Sequence, residues 1–293
     1  MPYTRIAARL ILIVVAIAAA TATGQTGTNL RGSELRATAV NIEKTNKRPV
    51  AQLEASIKEY ERLVEGSPDD AVIMNNLGAM YFLAGRYYES QSIIRKALRR
   101  SPRSVPIRIN LAIALNRTHN SALAIDTLES VLAEAPDQSR AREILCELYA
   151  KEDRIVDSME CFDVLFKSGE MAALGAANYA TLLIDAGSTD RALEVLRWAD
   201  SEFAENAGVK NSLGVALYKK KKFKAAETHL QRAVAMEPAS AQLRFNLAMA
   251  QMAGNNRGAV FEQYKFLKTA SPELARRLYQ LLFRDKIVRV KPE

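Results

Sequence analysis

Prolines recur along this chain at a fixed interval of 34 residues: Pro68, Pro102 and Pro136, then, three intervals further on, Pro238 and Pro272. Five of the nine prolines therefore share one phase. A period of that length marks a supersecondary unit repeated along the chain, and it outranks any local reading of the sequence. With Ala71 as position 1, position 7 reads Leu77, Leu111, Leu145, Tyr179, Leu213 and Leu247. Position 8 reads Gly78, Ala112, Cys146, Ala180, Gly214 and Ala248, and position 11 reads Tyr81, Leu115, Tyr149, Leu183, Leu217 and Gln251. Further on, position 20 reads Ser90, Ala124, Ser158, Ala192, Ala226 and Val260, and position 24 reads Ile94, Leu128, Phe162, Leu196, Leu230 and Tyr264. Positions 4, 7, 8 and 11 lie on one face of a first helix, and positions 20, 24 and 27 on one face of a second. Small residues at 8 and 20 let the pair approach closely, larger ones at 7, 11 and 24 fill the space around that contact, and the proline ends the second helix. One such hairpin cannot bury both faces, so neighbours must stack.

The Leu-Gly, Tyr, Ala, Phe and Pro positions of this frame resemble the tetratricopeptide repeat. The resemblance covers six full units, residues 71–272, and implies an all-α chain wound as a right-handed α-α superhelix. The third and fourth units depart from it, with Glu170 and Ala204 in the proline slot, and the sixth carries Gln251 and Val260 where Leu or Tyr and Ala are usual. Residues 51–70 match a second helix in phase with no first helix before it, an N-terminal half repeat. Residues 273–293 supply a capping helix over Glu273 to Phe283, with Leu274, Leu278, Leu281 and Leu282 inward. A short extended tail is expected at Ile287-Val288-Arg289-Val290.

The N-terminus carries Arg5 and Arg9, then the apolar run from Leu10 to Ala20, then small residues up to Gly24. This order is that of a secretory signal peptide, cleaved after Ala22 or Gly24. The alternative is an uncleaved membrane anchor formed by residues 6–22, a marginal length for a span. Either way residues 1–24 are an address, and the rest is exported, periplasmic or extracellular. Residues 25–50 are polar and read as a flexible linker, with a short helix around Glu34 to Glu43 as a variant.

The formal net charge is +8, from 41 Lys plus Arg against 33 Asp plus Glu. The positive residues are mostly dispersed among carboxylates, as on solvated helix faces. Arg95, Arg99, Arg100 and Arg103, and the run Lys219 to Lys222, are the local exceptions and suit an acidic partner or an anionic lipid. Nucleic acid is not expected, because neither stacking aromatics nor a recognised module accompanies the charge. His119 and His229 are far apart in the frame, no phosphate loop or nucleophile elbow occurs, and Asp69-Asp70 sits where a helix start wants a cap. The chain is therefore read as a non-enzyme without a metal or cofactor. Asn116-Arg117-Thr118 fits a glycosylation triplet but falls at a helix end. Cys146 and Cys161 fall at positions 8 and 23 of one unit. Export would permit a disulfide. Position 23 is turned about 100° from the inward position 24, so two thiols are expected instead.

The resemblance also places a binding surface. First helices of successive repeats line a concave groove through positions 2, 5, 9, 12 and 13, with position 6 at its edge. Here that implies Asn75, Asn76, Asn110, Asn116, Arg117, Arg140, Glu143, Glu147, Lys151, Asn178, Thr181, Asn211, Tyr218, Asn246 and Met249. An amide can grip a peptide backbone through its donor and its acceptor. The lysine and asparagine clamp that some relatives use for chaperone C-termini is absent: positions 5 and 9 read Asn75 and Ala79, Ile109 and Ile113, Glu143 and Glu147. The expected function is an extracytoplasmic scaffold for protein–protein interaction, holding a protein or peptide segment in assembly or docking of an envelope or secretion complex. The rival is a structural subunit that self-associates through its convex face or capping helix.

Overall fold

The computed structural model describes residues 50–287. Among them fourteen helices succeed one another with no strand: α1 (Val50–Gly66), α2 (Ala71–Leu83), α3 (Tyr87–Arg100), α4 (Val105–Arg117), α5 (Ser121–Glu134), α6 (Ser139–Lys151), α7 (Ile155–Ser168), α8 (Ala173–Asp185), α9 (Thr189–Glu202), α10 (Ala207–Lys219), α11 (Phe223–Met236), α12 (Ala241–Ala253), α13 (Arg257–Ala270) and α14 (Pro272–Ile287). The six inner helices, α2 to α12 by twos, each begin one 34-residue period after the last, and so do the six outer helices α3 to α13. The signal, anchor and linker expected over residues 1–49, and most of the extended tail, lie outside the described residues. Ile287 itself closes α14 rather than opening a tail.

Local chemistry explains these boundaries. Asp70 caps α2, its carboxylate accepting from the amides of Val72 and Ile73 at 2.9 and 3.0 Å. Asn206 and Ser240 cap α10 and α12 in the same way. Each inner helix ends in one motif. The residue at position 15 takes a left-handed conformation, and the amide of position 16 returns to the carbonyl of position 11, as Arg86 to Tyr81 at 2.9 Å and Lys222 to Leu217 at 2.9 Å. This satisfies carbonyls that the helix end leaves without intrahelical partners. Gly85 and Gly187 adopt the conformation freely, but His119, Asp153, Lys221 and Asn255 occupy it too, with φ of 61°, 60°, 59° and 63°.

The described residues divide into two compact units, one ending at Cys161 and the other beginning at Phe162, with the division inside α7. In the first, Ile57 and Tyr60 of α1 join Ile73, Leu77, Met80, Ile94, Leu115, Leu128 and Leu148 in one buried cluster. Gly78 has no room for a side chain, since a Cβ there would run into Ile94. Ser90 adds what size alone does not reveal: its hydroxyl donates to the Gly78 carbonyl at 2.7 Å, and Ser158 does the same to the Cys146 carbonyl at 2.7 Å. In the second unit, Phe162 stacks on Tyr179 with centroids 5.7 Å apart. At its far end Phe245, Ala248, Val260, Leu267 and Leu278 form the buried cluster on which α14 rests, with Leu274, Leu281 and Leu282 packed against it.

The thiol expectation is overturned. Cys146 and Cys161 form a disulfide, with Cα atoms 5.4 Å apart. A packed helical stripe is wide enough to include position 23 as well as 24. Ile93 and Val195, at the same position in the first and fourth repeats, are buried too. The small residue at position 8 then brings the two backbones within bridging distance.

Candidate functional site

Each unit has its own set of inner-helix residues, and they divide into those turned to solvent and those consumed inside. In the first unit Asn75, Asn76 and Asn110 are buried. Asn110 donates to the Asn75 side-chain oxygen at 3.0 Å, tying α4 to α2. All three amides, expected at the groove, are thus buried, and Asn75 and Asn110 lie between successive inner helices. The same link recurs in the second unit, where Asn246 donates to Asn211 at 2.7 Å and itself accepts from Gln242 at 3.0 Å. There the pair is only half-buried and its outer edges remain accessible.

The rest of the first unit's set is charged. Arg140 meets Glu143 at 2.9 Å, and Glu143 is buried with its other carboxylate oxygen unpaired. Glu147 is half-buried beside it in the frame, one helical turn on. Lys151 donates to the Asn116 side chain at 2.5 Å and lies 3.3 Å from the Ser121 hydroxyl. Arg117 is exposed, with its guanidinium 5.9 Å from the Phe82 ring and 6.0 Å from that of Tyr87. What this surface offers is a guanidinium, a lysine and carboxylates around an apolar floor of Ile109 and Ile113.

The second unit's set is more apolar. Thr181 spends its hydroxyl on the Ala177 carbonyl at 2.9 Å and so shows its methyl group. Tyr218 lies against Phe223 at 5.6 Å, and Met249 is half-buried. Asn178 is half-buried.

Position 4 is basic in four of the six repeats, a regularity whose use only the structure reveals. Arg108 reaches Glu134 through two bonds of 2.9 and 2.6 Å, holding that carboxyl below its ordinary range. Arg142 and Arg244 donate to the carbonyls of Pro136 and Pro238 at 2.7 and 3.1 Å, and Lys210 meets Asp200 at 2.5 Å. The recurrence of a cation at position 4 of four inner helices was the available signal. A second device appears twice in the first unit: the Tyr81 and Tyr149 hydroxyls donate to Glu61 and Glu129 at 2.7 and 2.6 Å, with Arg86 and Arg154 over the rings. Burial first, then the hydrogen bond to a carboxylate, pushes both tyrosines up to about 12.

The remaining candidates are quiet. His119 sits in a turn, and burial holds His229 below the ordinary histidine range. No cluster of three or more metal-ligating side chains forms among the described residues. None of the described helices is long and apolar enough to cross a membrane.

Three solved structures with related folds bracket this architecture. A type IV pilus biogenesis factor, PilW, superposes with a TM-score of 0.64 at 16% identity, covering 71% of this chain and 98% of its own. YrrB, a tetratricopeptide repeat protein with an unusual peptide-binding site, gives 0.52 at 16%, covering 64% and 97%. The Cut9–Hcn1 hetero-tetramer of the anaphase-promoting complex gives 0.62 at 15%, covering 76% of this chain, which spans 46% of the length of that one. No curated protein matches the sequence. Residues 81–148 and 213–275 match tetratricopeptide-repeat family models, and these two stretches fall in the two compact units. The chain carries tetratricopeptide repeats.

Proposed function

We propose that the chain is an extracytoplasmic scaffold that holds a protein or peptide segment on its inner helices, in the assembly or docking of an envelope or secretion complex. The observation that carries this is the set of solvent-reaching side chains on successive inner helices: Asn116, Arg117, Arg140 and Glu147 in the first unit, Thr181 and Tyr218 in the second. Although several of them also touch neighbouring side chains, they recur at the frame positions that in this repeat family meet a ligand. Repeated hairpins suit an extended segment, which can be read by side-chain pockets along its length.

Three features support the location. Residues 1–24 have the charge and hydropathy order of an export signal. The Cys146–Cys161 bridge is a bond that oxidising compartments sustain and the cytoplasm reduces. PilW, similar in fold, is a pilus biogenesis factor. The reading includes a membrane tether through residues 6–22 if the signal is retained, and it assigns no nucleic acid, metal or cofactor.

Site-specific photocrosslinking in intact cells tests it. A photoreactive residue at Arg117 or Tyr218 is expected to trap the same partner, while one at Glu262 on an outer helix traps none. Thiol trapping during fractionation is expected to find the chain oxidised and outside the cytoplasm. A reduced, cytoplasmic chain, or adducts from the outer position alone, sinks the proposal.

A further inference from the structure

The outer face of the first unit is self-complementary in charge. Helix α3 carries four basic residues and one acid, and α5 carries three acids and no base. The contrast is positional. Arg95 and Arg103 stand at positions 25 and 33 of the first repeat, and Glu129 and Asp137 stand at those positions of the next. The repeat frame does not demand either sign, because the fourth repeat reads Arg197 and Glu205 at these positions and the fifth reads Gln231 and Ala239. Arg95, Lys96, Arg99 and Arg103 are exposed, as are Asp126 and Asp137. Part of the local charge is already matched internally: Arg100 pairs with Asp69 at 2.6 Å, Glu134 with Arg108, and Glu129 accepts from Tyr149. Arg95, Lys96, Arg99 and Asp126 are left displaying opposite signs on consecutive outer helices that rest on the same inner helix, α4.

An apolar row accompanies the charge. Tyr88, Leu123 and Val156, near the starts of α3, α5 and α7, are 73%, 46% and 69% exposed. Tyr88 and Val156 stand at position 18 and Leu123 at position 19, whereas position 18 in the second unit reads Asp190, Lys224 and Gly258. Burial of Ser90, Ile93, Ile94 and Ala97 turns the opposite side of α3 outward, so Tyr88, Arg95 and Arg99, spaced 7 and 4 apart, share one stripe.

We infer that this face binds a second copy of the same chain, α3 of each protomer lying across α5 of the other about a two-fold axis. A two-fold interface uses one patch twice, so it needs both signs side by side on one surface, which is what α3 and α5 present. A membrane surface needs one sign, and the acids of α5 would face its phosphates. Outer helices of 14 residues are about 21 Å long, and neighbouring ones lie about 10 Å apart, so the patch offers roughly 500 Å² per copy. That places the pair at the low end of biological interfaces, a reversible and salt-sensitive dimer.

Sedimentation velocity of the purified full chain in detergent tests this, from about 1 to 100 µM, the range in which a weak interface associates. Wild type is expected to pass from monomer to dimer over that range. Arg95→Glu with Arg99→Glu, and separately Asp126→Lys with Asp137→Lys, are expected to remain monomeric throughout, with unchanged circular dichroism. An equimolar mixture of the two variants regains the dimer, since each supplies the sign the other has lost. A wild type that stays monomeric, or a dimer indifferent to both double substitutions, overturns the proposal. So does a wild-type monomer that sediments with anionic vesicles and is released by Arg95→Glu with Arg99→Glu, which would assign the face to lipid.

Discussion

In the unit that ends at Cys161, the inner helices α2 and α4 are buried on almost every side, Ile73 through Met80 in one and Ile107 through Leu115 in the other. In the unit that begins at Phe162, the inner helices keep an accessible side, and much of the packing around them is aromatic. There Trp198 meets Phe166 and Phe203 at 5.6 and 6.1 Å, and Tyr279 meets Phe283 at 4.5 Å. The first unit also holds the disulfide and the two tyrosines that bond a carboxylate beneath an arginine stacked on the ring, whereas in the second Tyr179 donates to Asp163, which Arg191 pairs at 3.0 Å. The same 34-residue frame thus tolerates two ways of being held. It fixes where helices begin and which few positions touch, and leaves the remaining positions to aliphatic burial and covalent closure in one place or to aromatic edges in another. An inner helix that is apolar all round has given up surface to gain core. On the proposed function, the residues left in the first unit to meet a partner are Asn116, Arg117, Arg140, Glu147 and Lys151.

The disulfide is the sharpest way to break that contrast. It closes a loop of 15 residues, and cross-linking a loop of that size removes denatured-state freedom worth about 3 kcal/mol. Reduction is expected to speed exchange of the slowest amides of α6 by about 100-fold, the equivalent of that free energy. Amides of α12 and α13 should keep their rates. Equal acceleration in both units would mean that the staple is not local to the first.

The two tight glycines come next, and they separate the units by side-chain stiffness. Gly78→Ala drives a methyl group into Ile94, a β-branched residue with little rotamer freedom. A cost of about 2 kcal/mol is expected, within the usual range for overpacking. Gly214→Ala meets Leu230 at 2.5 Å. Leucine can turn aside, and the chain already pairs alanine with leucine at these positions in Ala112 with Leu128 and Ala180 with Leu196. Its cost should be under about 1 kcal/mol, as for well-tolerated core swaps. Urea denaturation of both variants checks the order; a reversed order would show that backbone proximity, not the opposing side chain, decides.

The frame was legible because packing at positions 7, 8, 11, 20 and 24 admits few residue types, so the period shows through a diverse sequence. The binding surface was less so. Asn75, Asn76 and Asn110 occupy positions that the family resemblance assigns to the groove and its edge, yet the structure buries them. Whether an amide at position 5 or 6 reaches solvent depends on how the next repeat packs against it and on whether another amide lies within bonding distance, as Asn110 does for Asn75. Neither is a property of one position. The disulfide was misjudged for a related reason: a single angular step along an ideal helix says little when the packed stripe is several residues wide. The cations at position 4 were visible as a pattern, but their targets vary, carboxylates at the end of an outer helix for Arg108 and Lys210 and proline carbonyls for Arg142 and Arg244, and the pattern does not pair them.

The smallest expected effect concerns the turns that both units share. Six hairpins require a left-handed residue at position 15, and two supply glycine. Side chains carrying a Cβ meet steric resistance there, least for asparagine and aspartate, whose short polar groups bond locally. His119→Gly in the first unit and Lys221→Gly in the second should therefore each stabilise by about 0.5–1 kcal/mol, the relief of strain being partly offset by the greater freedom of glycine in the unfolded chain. Asn255→Gly should do less than either. Thermal melts of the three variants test the ranking. If His119→Gly destabilises while Lys221→Gly stabilises, the histidine makes a favourable contact in the first unit that outweighs its backbone strain. The two units would then differ even at the one motif where their backbones coincide.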